Sequence, residues 1–429
     1  MRTRKTRERS ESATCCALEV LDFVFFWHNS ENGIFMSMRL QALESRRKTR
    51  VIRVGDIGIG GDEPIRVQTM TNTDTLDIEA TAAQTARCVE AGAELIRITT
   101  QTPKHARALA DIRQLLITRY GISVPLIADV HFSQAAAFEA LKWADKVRLN
   151  PGNLLDAKLQ KTLEYESGAY EEELKRIEKG LLPFIEEAKR LAKPIRIGAN
   201  HGSLSDRILS RYGDTPLGMV ESAMEYLRIF HRYGYDEIVV AMKSSDPLVM
   251  IEANRLLAQT LRVENMDYPL HLGVTEAGSA EDGRAKSTIG IGTILLDGLG
   301  DTLRVSLTEA PEREIPVCYS ILQATRRRIT KTEFISCPSC GRTLYDIESV
   351  THQIKIRMDH LVGVRIAVMG CIVNGIGEMA DADFGYVGGR PGMINLYWKK
   401  ALVERDVPEA EAINRLELLI KEKGLWVNR

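Results

Sequence analysis

Three thiols in the C-terminal quarter of the chain could hold a soft metal centre. Cys337 and Cys340 lie three positions apart in "FISCPSCGRTLYD", and Cys371 opens "CIVNGIGE". Structural zinc takes four protein ligands, often as two such knuckles. Here the second knuckle is missing, so a Cys3His zinc site would have to recruit His352 or His360 from a helical stretch without that spacing. Iron–sulfur clusters are also held by Cys thiolates, normally four. Three thiols leave one iron of a [4Fe–4S] cluster for a weaker ligand, and Glu378, seven positions after Cys371, is the candidate. A carboxylate matches a soft site poorly, so a substrate oxygen could displace it. Gly375 and Gly377 are expected to free a loop that wraps the cluster. Cys88 and Cys318 fall in helical patterns and read as ordinary buried thiols. Cys15 and Cys16 receive no role.

A second constellation is spread over the first three-quarters of the chain. Short apolar runs end in charged or amide residues: Arg97 after "ELI", Asp129 and His131 in "ADVH", Arg148 and Asn150 in "VRLN". Arg196 and Asn200 follow in "IRIGAN", Lys243 after "VAM", Glu276 at the end of "GVTE", and Arg304 with Ser306 in "LRVS". In a strand, residues two apart point to the same side. Charges inside apolar strands are costly unless paired or used. One such arginine could be a structural ion pair. Five cations on separate strands exceed what Asp129 and Glu276 can neutralise. Arg forks and a Lys point charge suit phosphate oxygens, so the expected ligand is the size of a diphosphate, oriented by Asn and Ser. His131 and His201 read as ordinary hydrogen-bonding residues.

The elements that must position these groups follow a beat. Eight apolar runs, from "PIRVQTMTN" to "TLRVSLTE", alternate with helical patterns such as "DIEATAAQTARCVEAGA". Their β-branched cores suit buried parallel strands. Eight strand–helix units predict an α/β chain built on a (β/α)8 TIM barrel, whose functional groups collect at the C-terminal strand ends. An open doubly wound sheet would usually carry a Gly-rich phosphate turn after its first strand, and "QTMTNTDT" is not one. "APEREIPVCYSILQATRRRITKTE" reads as a last helix and a basic linker. A smaller α/β domain then follows, with a helix at "DIESVTHQIKIRMDHL", a strand at "VRIAVMG", the Gly-rich loop, a hairpin at "ADFGYVGGRPG" and a closing helix near 408–423.

The expected division is an N-terminal extension over 1–47, disordered or an over-called start; a substrate-binding barrel over 48–325; and a cluster domain over 326–429. The 429 residues carry a net charge of −1, with 44% apolar and 27% charged residues. Nothing there asks for nucleic acid or an anionic membrane. "CCALEVLDFVFFW" is interrupted by Glu19 and Asp22, unlike a membrane span or a signal peptide core. Seven cysteines, an odd and small number, fit a reducing cytoplasmic setting rather than a disulfide framework.

Taken together, "VRLNPGN", "IRIGANHGSL", "HLGVTEAG", "TLRVSLTE", "CPSCGRTLYD" and "GCIVNGIGEMADADFG" resemble the 4-hydroxy-3-methylbut-2-enyl diphosphate synthases over about residues 48–429. The resemblance implies a barrel followed by a [4Fe–4S] domain similar to part of sulfite reductase. It implies cluster ligands at Cys337, Cys340, Cys371 and Glu378. It implies substrate binding at Arg97, Asp129, Arg148, Asn150, Arg196, Asn200, Lys243, Glu276, Arg304 and Ser306. The implied reaction is reductive ring opening and dehydration of 2-C-methyl-D-erythritol 2,4-cyclodiphosphate in the methylerythritol phosphate route to isoprenoids. Electrons would come from ferredoxin or flavodoxin, Glu276 would deliver a proton, and a head-to-tail homodimer would share its sites. Two features depart from the family pattern. Ile376 stands where the family usually has Pro, and the barrel wording resembles the larger plant-type enzymes although only a short linker precedes Cys337. The competing readings are a non-redox, phosphate-binding barrel with a structural zinc tail, and a cluster-bearing electron-transfer or regulatory protein.

Overall fold

The computed structural model describes residues 45–156 and 167–429. Most of the expected N-terminal extension, with Cys15 and Cys16, lies outside the described residues. From Arg46 onward the chain is tied to the barrel: Arg47 N donates to Gly298 O at 2.8 Å, and its guanidinium to Tyr268 O and Met266 O.

Two three-residue strands, β1 (Ile52–Val54) and β2 (Ile57–Ile59), form an antiparallel hairpin. Then come β3 (Arg66–Met70), β4 (Leu95–Thr99), β5 (Leu126–Asp129), β6 (Lys146–Leu149), β7 (Ile195–Asn200), β8 (Ile238–Lys243), β9 (His271–Leu272) and β10 (Thr302–Leu303). Their order is β8-β7-β6-β5-β4-β3-β10-β9, with every pairing parallel. A parallel bridge between Val240 and Leu270 joins β8 to the entry of β9 and closes the ring. All eight expected runs supply these strands. The principal helices between them include Ile78–Glu90, Pro103–Tyr120, Gln134–Trp143, Ser167–Arg190, Pro216–Arg232, Pro247–Val263, Ala280–Leu296 and Glu314–Ala324. Several start where the sequence offers a cap: Asp77, Ser133, Thr215 and Asp246 each accept from a backbone N–H of the first turn.

The period-two alternation sorts the side chains. Ile96, Ile98, Leu126, Ala128, Val147, Leu149, Ile195 and Ile197 face outward into the main core shared with the helices. Leu95, Ile127 and Val239 face inward and form a separate small core with Ile52, Val54 and Ile59 of the hairpin. The hairpin therefore plugs the N-terminal end of the barrel. The inward positions nearer the C-terminal end are the polar ones.

The second domain is a five-stranded sheet, β11 (Glu333–Ser336), β12 (Arg365–Met369), β13 (Phe384–Arg390), β14 (Met393–Trp398) and β15 (Ala401–Pro408), in that order. The first three strands run parallel and the last two return as antiparallel hairpins. Helices Ile347–Met358 and Glu409–Glu422 cover one face with a core of Ile354, Ile366, Val368, Phe384, Leu396 and Leu416. The other face carries Ala367, Met369, Met379, Val387 and Tyr397.

The expected Gly-rich loop is instead a short helix, Ile372–Glu378. Close packing overrides the low helix propensity of its glycines. A Cβ on Gly375 would come within 3.0 Å of Met369 Cβ and 3.3 Å of Val387 Cγ1, so this glycine lets the helix lie on the sheet. Gly377 faces open space.

The linker leaves the barrel at its N-terminal end. Arg328 donates to Ile65 O at 3.1 Å and to Glu94 at 2.7 Å, both just ahead of the strands they precede. Thr330 N still donates to Gln323 of the last barrel helix, whereas Thr332 N already bonds Asp359 of the second domain. Among the described residues, no helix is long and apolar enough to cross a membrane.

Candidate active site

The polar interior of the barrel is built from one or two residues per strand. Arg97, Asp129, Arg148, Arg196 and Lys243 are all buried, on β4 through β8, and Arg304 follows β10. Arg148 Nη1 donates to Asp129 Oδ1 at 3.2 Å and Nη2 to Gly198 O at 3.0 Å. Arg97 lies 3.7 Å from the other Asp129 oxygen, and its best donors reach only the thioether of Met70, at 2.8 and 3.0 Å. A thioether is a weak acceptor, so Arg97 has donors to spare. Two glycines make room for the cations. A Cβ at Gly198 would meet Arg148 Nε at 2.9 Å, and one at Gly273 would meet Lys243 Nζ at 2.8 Å.

The charges are unbalanced. Arg304 is neutralised by a carboxylate not anticipated from sequence: Glu314, wholly buried at the start of the last barrel helix, accepts from its Nε and Nη2 at 3.1 Å each. Asp129 serves Arg97 and Arg148. Nothing comparable serves Arg196, whose Nε and Nη1 make no hydrogen bond to any described residue. Lys146, two residues before Arg148 and on the same side of β6, is also buried with its amine unpaired, and so are the side chain of Gln68 and Nε2 of His271.

The titration behaviour follows from this crowding. Burial lowers Arg97 to about 10 against the pull of Asp129, with Arg304 and Arg148 adding to the fall. Burial and the neighbouring guanidiniums push Lys243, Lys146 and Arg196 well below their usual ranges. His271 is driven down by burial, Lys243 and Arg196. Burial alone would raise the Asp129 carboxyl, but Arg97, Arg148 and His131 together hold it well below the carboxylate range. The interior therefore carries more positive than negative charge, an arrangement that suits an anion.

The remaining sequence candidates lie around it. Asn150 is buried and donates to Ser203 Oγ at 3.0 Å, and Ser203 in turn donates to Asn200 O at 3.1 Å. Ser306 is half-buried two residues beyond Arg304. Glu276 sits exposed on the loop after β9 at φ +52°, a conformation that non-glycine residues rarely adopt. His131 contacts Arg148 and lies 3.6 Å from Asp129. His201 faces Asp214 at 2.7 Å, off the line of a hydrogen bond.

The thiols meet in the second domain. Cys337 follows β11 and Cys371 follows β12, so both stand at the C-terminal ends of adjacent parallel strands, where crevices form in α/β sheets. Cys371 caps the helix that ends at Glu378. Seven residues are about two helical turns, which puts the two on one face. Cys337, Cys340, Cys371 and Glu378 all line one cavity of about 340 Å3, with Arg342, Met369 and Val373. Gly370 N donates to Cys337 Sγ at 3.3 Å. The backbone N–H of Arg342 lowers the Cys340 thiol, favouring the thiolate that metals bind.

Among the described residues, no three His, Cys, Asp or Glu side chains converge on a single point. A lone zinc ion needs that convergence. A cluster does not, because each thiolate binds a different iron. His360 is used elsewhere, bonded to Val427 O at 2.8 Å and stacked edge-on against Trp426, and neither it nor His352 lines the cavity. Three thiols and a carboxylate around one cavity are a donor set that would fit an iron–sulfur cluster.

Comparison with known proteins agrees in both halves. The GcpE TIM-barrel domain matches residues 49–319 and the GcpE protein C-terminal domain residues 333–422. A protein of Synechococcus sp. (strain CC9605) is 53% identical over 384 residues, covering 89% of this chain and 96% of that protein. One from Prochlorococcus marinus subsp. pastoris is 50% identical over 395 residues, covering 92% and 97%. One from Trichormus variabilis is 51% identical over 385 residues, covering 89% and 94%. All three carry the name 4-hydroxy-3-methylbut-2-en-1-yl diphosphate synthase (ferredoxin). With both family domains present in order, the chain belongs to the GcpE family.

Proposed function

We propose that this chain is an oxidoreductase that opens and dehydrates 2-C-methyl-D-erythritol 2,4-cyclodiphosphate to 4-hydroxy-3-methylbut-2-enyl diphosphate, with ferredoxin as electron donor. The observation that carries this reading is the buried excess of cations with unpaired donors inside the barrel, together with a separate cavity in the second domain lined by three thiols and Glu378. The relatives' names point to the same product and donor.

The diphosphate is held by Arg97, Arg148, Arg196 and Lys243; Arg148 Nε and Arg196 Nε and Nη1 have no acceptor among the described residues, and Arg97 reaches only the weak thioether acceptor of Met70. Arg304 contributes a guanidinium already fixed by Glu314, so its position is set before substrate arrives. Asp129 keeps Arg97 and Arg148 apart and oriented. Asn150, Asn200 and Ser306 orient the carbon skeleton by hydrogen bonds. The Glu276 carboxyl, on a strained exposed loop, delivers the proton to the hydroxyl that leaves as water. Cys337, Cys340, Cys371 and, exchangeably, Glu378 would hold a [4Fe–4S] cluster. When bound, such a cluster supplies electrons singly and a Lewis-acidic iron for a substrate oxygen.

The two sites need each other, yet the linker departs from the barrel end opposite the cation-lined strand ends. This geometry favours a head-to-tail homodimer in which the cluster domain of one protomer serves the barrel of its partner. The test is anaerobic purification with iron, acid-labile sulfide and zinc counted per chain. About four irons with matching sulfide are expected. One zinc without sulfide would overturn the redox reading in favour of a phosphate-binding barrel with a structural tail.

A further inference from the structure

Lys146 takes no part in the chemistry assigned to the barrel, and its surroundings call for a role. It precedes Arg148 by two positions on β6, so it points to the same interior, one pleat deeper, about 6.6 Å along the strand. It is fully buried, and its amine has no hydrogen-bond partner among the described residues. On the adjoining strand β7, Arg196 pairs in register with Arg148, two positions from Lys146, and Arg97 of β4 and His271 of β9 are close enough to feel its charge. The one carboxylate on the neighbouring strand, Asp129, is engaged with Arg148 and Arg97. The inward neighbours in register are apolar: Ile127 pairs with Lys146 and Val239 with Arg196.

A structural lysine would have an ion-pair partner, and an apolar residue would fill this position at lower cost. An ammonium held unpaired beside two guanidiniums is strongly disfavoured. Burial, Arg196 and Arg97 accordingly push the amine far below the usual lysine range. That balance reverses once a multiply charged anion settles on Arg196 and Arg97.

We propose that Lys146 is a positioning residue of the anion site, a buried amine without an acceptor in the free protein that takes one proton from solvent when a diphosphate docks above it. The step forms one N–H bond and breaks none in the substrate. It rests on the diphosphate reading given above. The interior thereby avoids one permanent buried charge in the free protein and gains a charge-assisted contact in the complex.

The test uses inorganic pyrophosphate as a non-reacting probe of the full chain. Calorimetric titration in two buffers of different ionisation enthalpy counts the protons taken up, for the wild type and for Lys146→Met. Proton loss by pyrophosphate itself contributes to both, so the difference reports on Lys146. The variant should take up about one proton fewer per site and bind roughly tenfold more weakly. Its thermal melt without pyrophosphate should match or exceed the wild type. Equal proton uptake and equal affinity in the two proteins would overturn the assignment. A Lys146→Met chain that fails to fold would also overturn it, by showing a structural lysine. A wild type that does not bind pyrophosphate would remove the diphosphate reading and this inference together.

Discussion

Arg196→Met is expected to make the free protein more stable while disabling it. Arg196 is only 1% exposed, two of its nitrogens have no acceptor, and among the charged groups acting on it Arg97, Arg148 and Arg304 are cationic, opposed by Asp129. Each buried, unsatisfied donor costs on the order of 1–3 kcal/mol. Met keeps most of the side-chain volume, so no large cavity offsets the gain. A net stabilisation of about 2 kcal/mol follows from the lower bound on two donors. For a chain this size that is a rise in Tm of about 2 °C. With pyrophosphate present the order should invert, because the wild type gains binding energy that the variant lacks. Losing a forked guanidinium–phosphate contact should lower kcat/KM by about 100-fold. Thermal melts with and without pyrophosphate, alongside anaerobic turnover, measure all three quantities. A variant that melts lower than the wild type in the absence of anion would refute the reasoning, since it would mean that Arg196 is satisfied in the free protein.

Other parts of the structure lead to further expected outcomes. Gly375→Ala should lower iron retention, because its Cβ would push the helix carrying Glu378 off Met369 and Val387, whereas Gly377→Ala should retain iron and gain about 0.5–1 kcal/mol of helix stability. The Asp129 carboxyl is depressed in the folded protein, so its contribution is present above the unfolded value of about 3.9 and is lost as pH falls through the folded value. Asp129→Asn should therefore destabilise the protein by about 3 kcal/mol at neutral pH, by stranding Arg97 and Arg148, and flatten the acid limb of the stability profile below about pH 4. Mixing Cys371→Ser with Arg196→Met chains should restore activity through heterodimers that pair one intact barrel with one intact cluster domain. No recovery after subunit exchange would place each complete site within one chain.

Much of this architecture is legible in the sequence for a physical reason. Buried parallel strands demand continuous apolar, β-branched runs, and the eight runs that meet this demand became the eight barrel strands. Cations at their ends stood out because such positions penalise charge. The three-residue strands of the plugging hairpin were too short to show a period. "CIVNGIGE" reads as a loop by composition, and only its packing on Met369 and Val387 makes it a helix. Glu314 looked like one more acidic residue in a helix start. Its pairing with Arg304 exists only because the chain turns back between them. Lys146 shares the parity of Arg148 and was within reach on that ground, but it lies one pleat deeper than the strand ends where functional groups usually collect. The exit of the linker at the N-terminal end reflects the last barrel helix running back down the outside of the barrel, which no local motif announces.

The most direct measurement is anaerobic turnover of the cyclic diphosphate with reduced ferredoxin, with the linear diphosphate followed by mass spectrometry in the wild type and in Cys371→Ser. Product should form only with reductant and only in the wild type, while Cys371→Ser loses its iron and its activity together. Product formed without reductant, or by the iron-free variant, would contradict the assignment of the chemistry to the thiol-lined cavity.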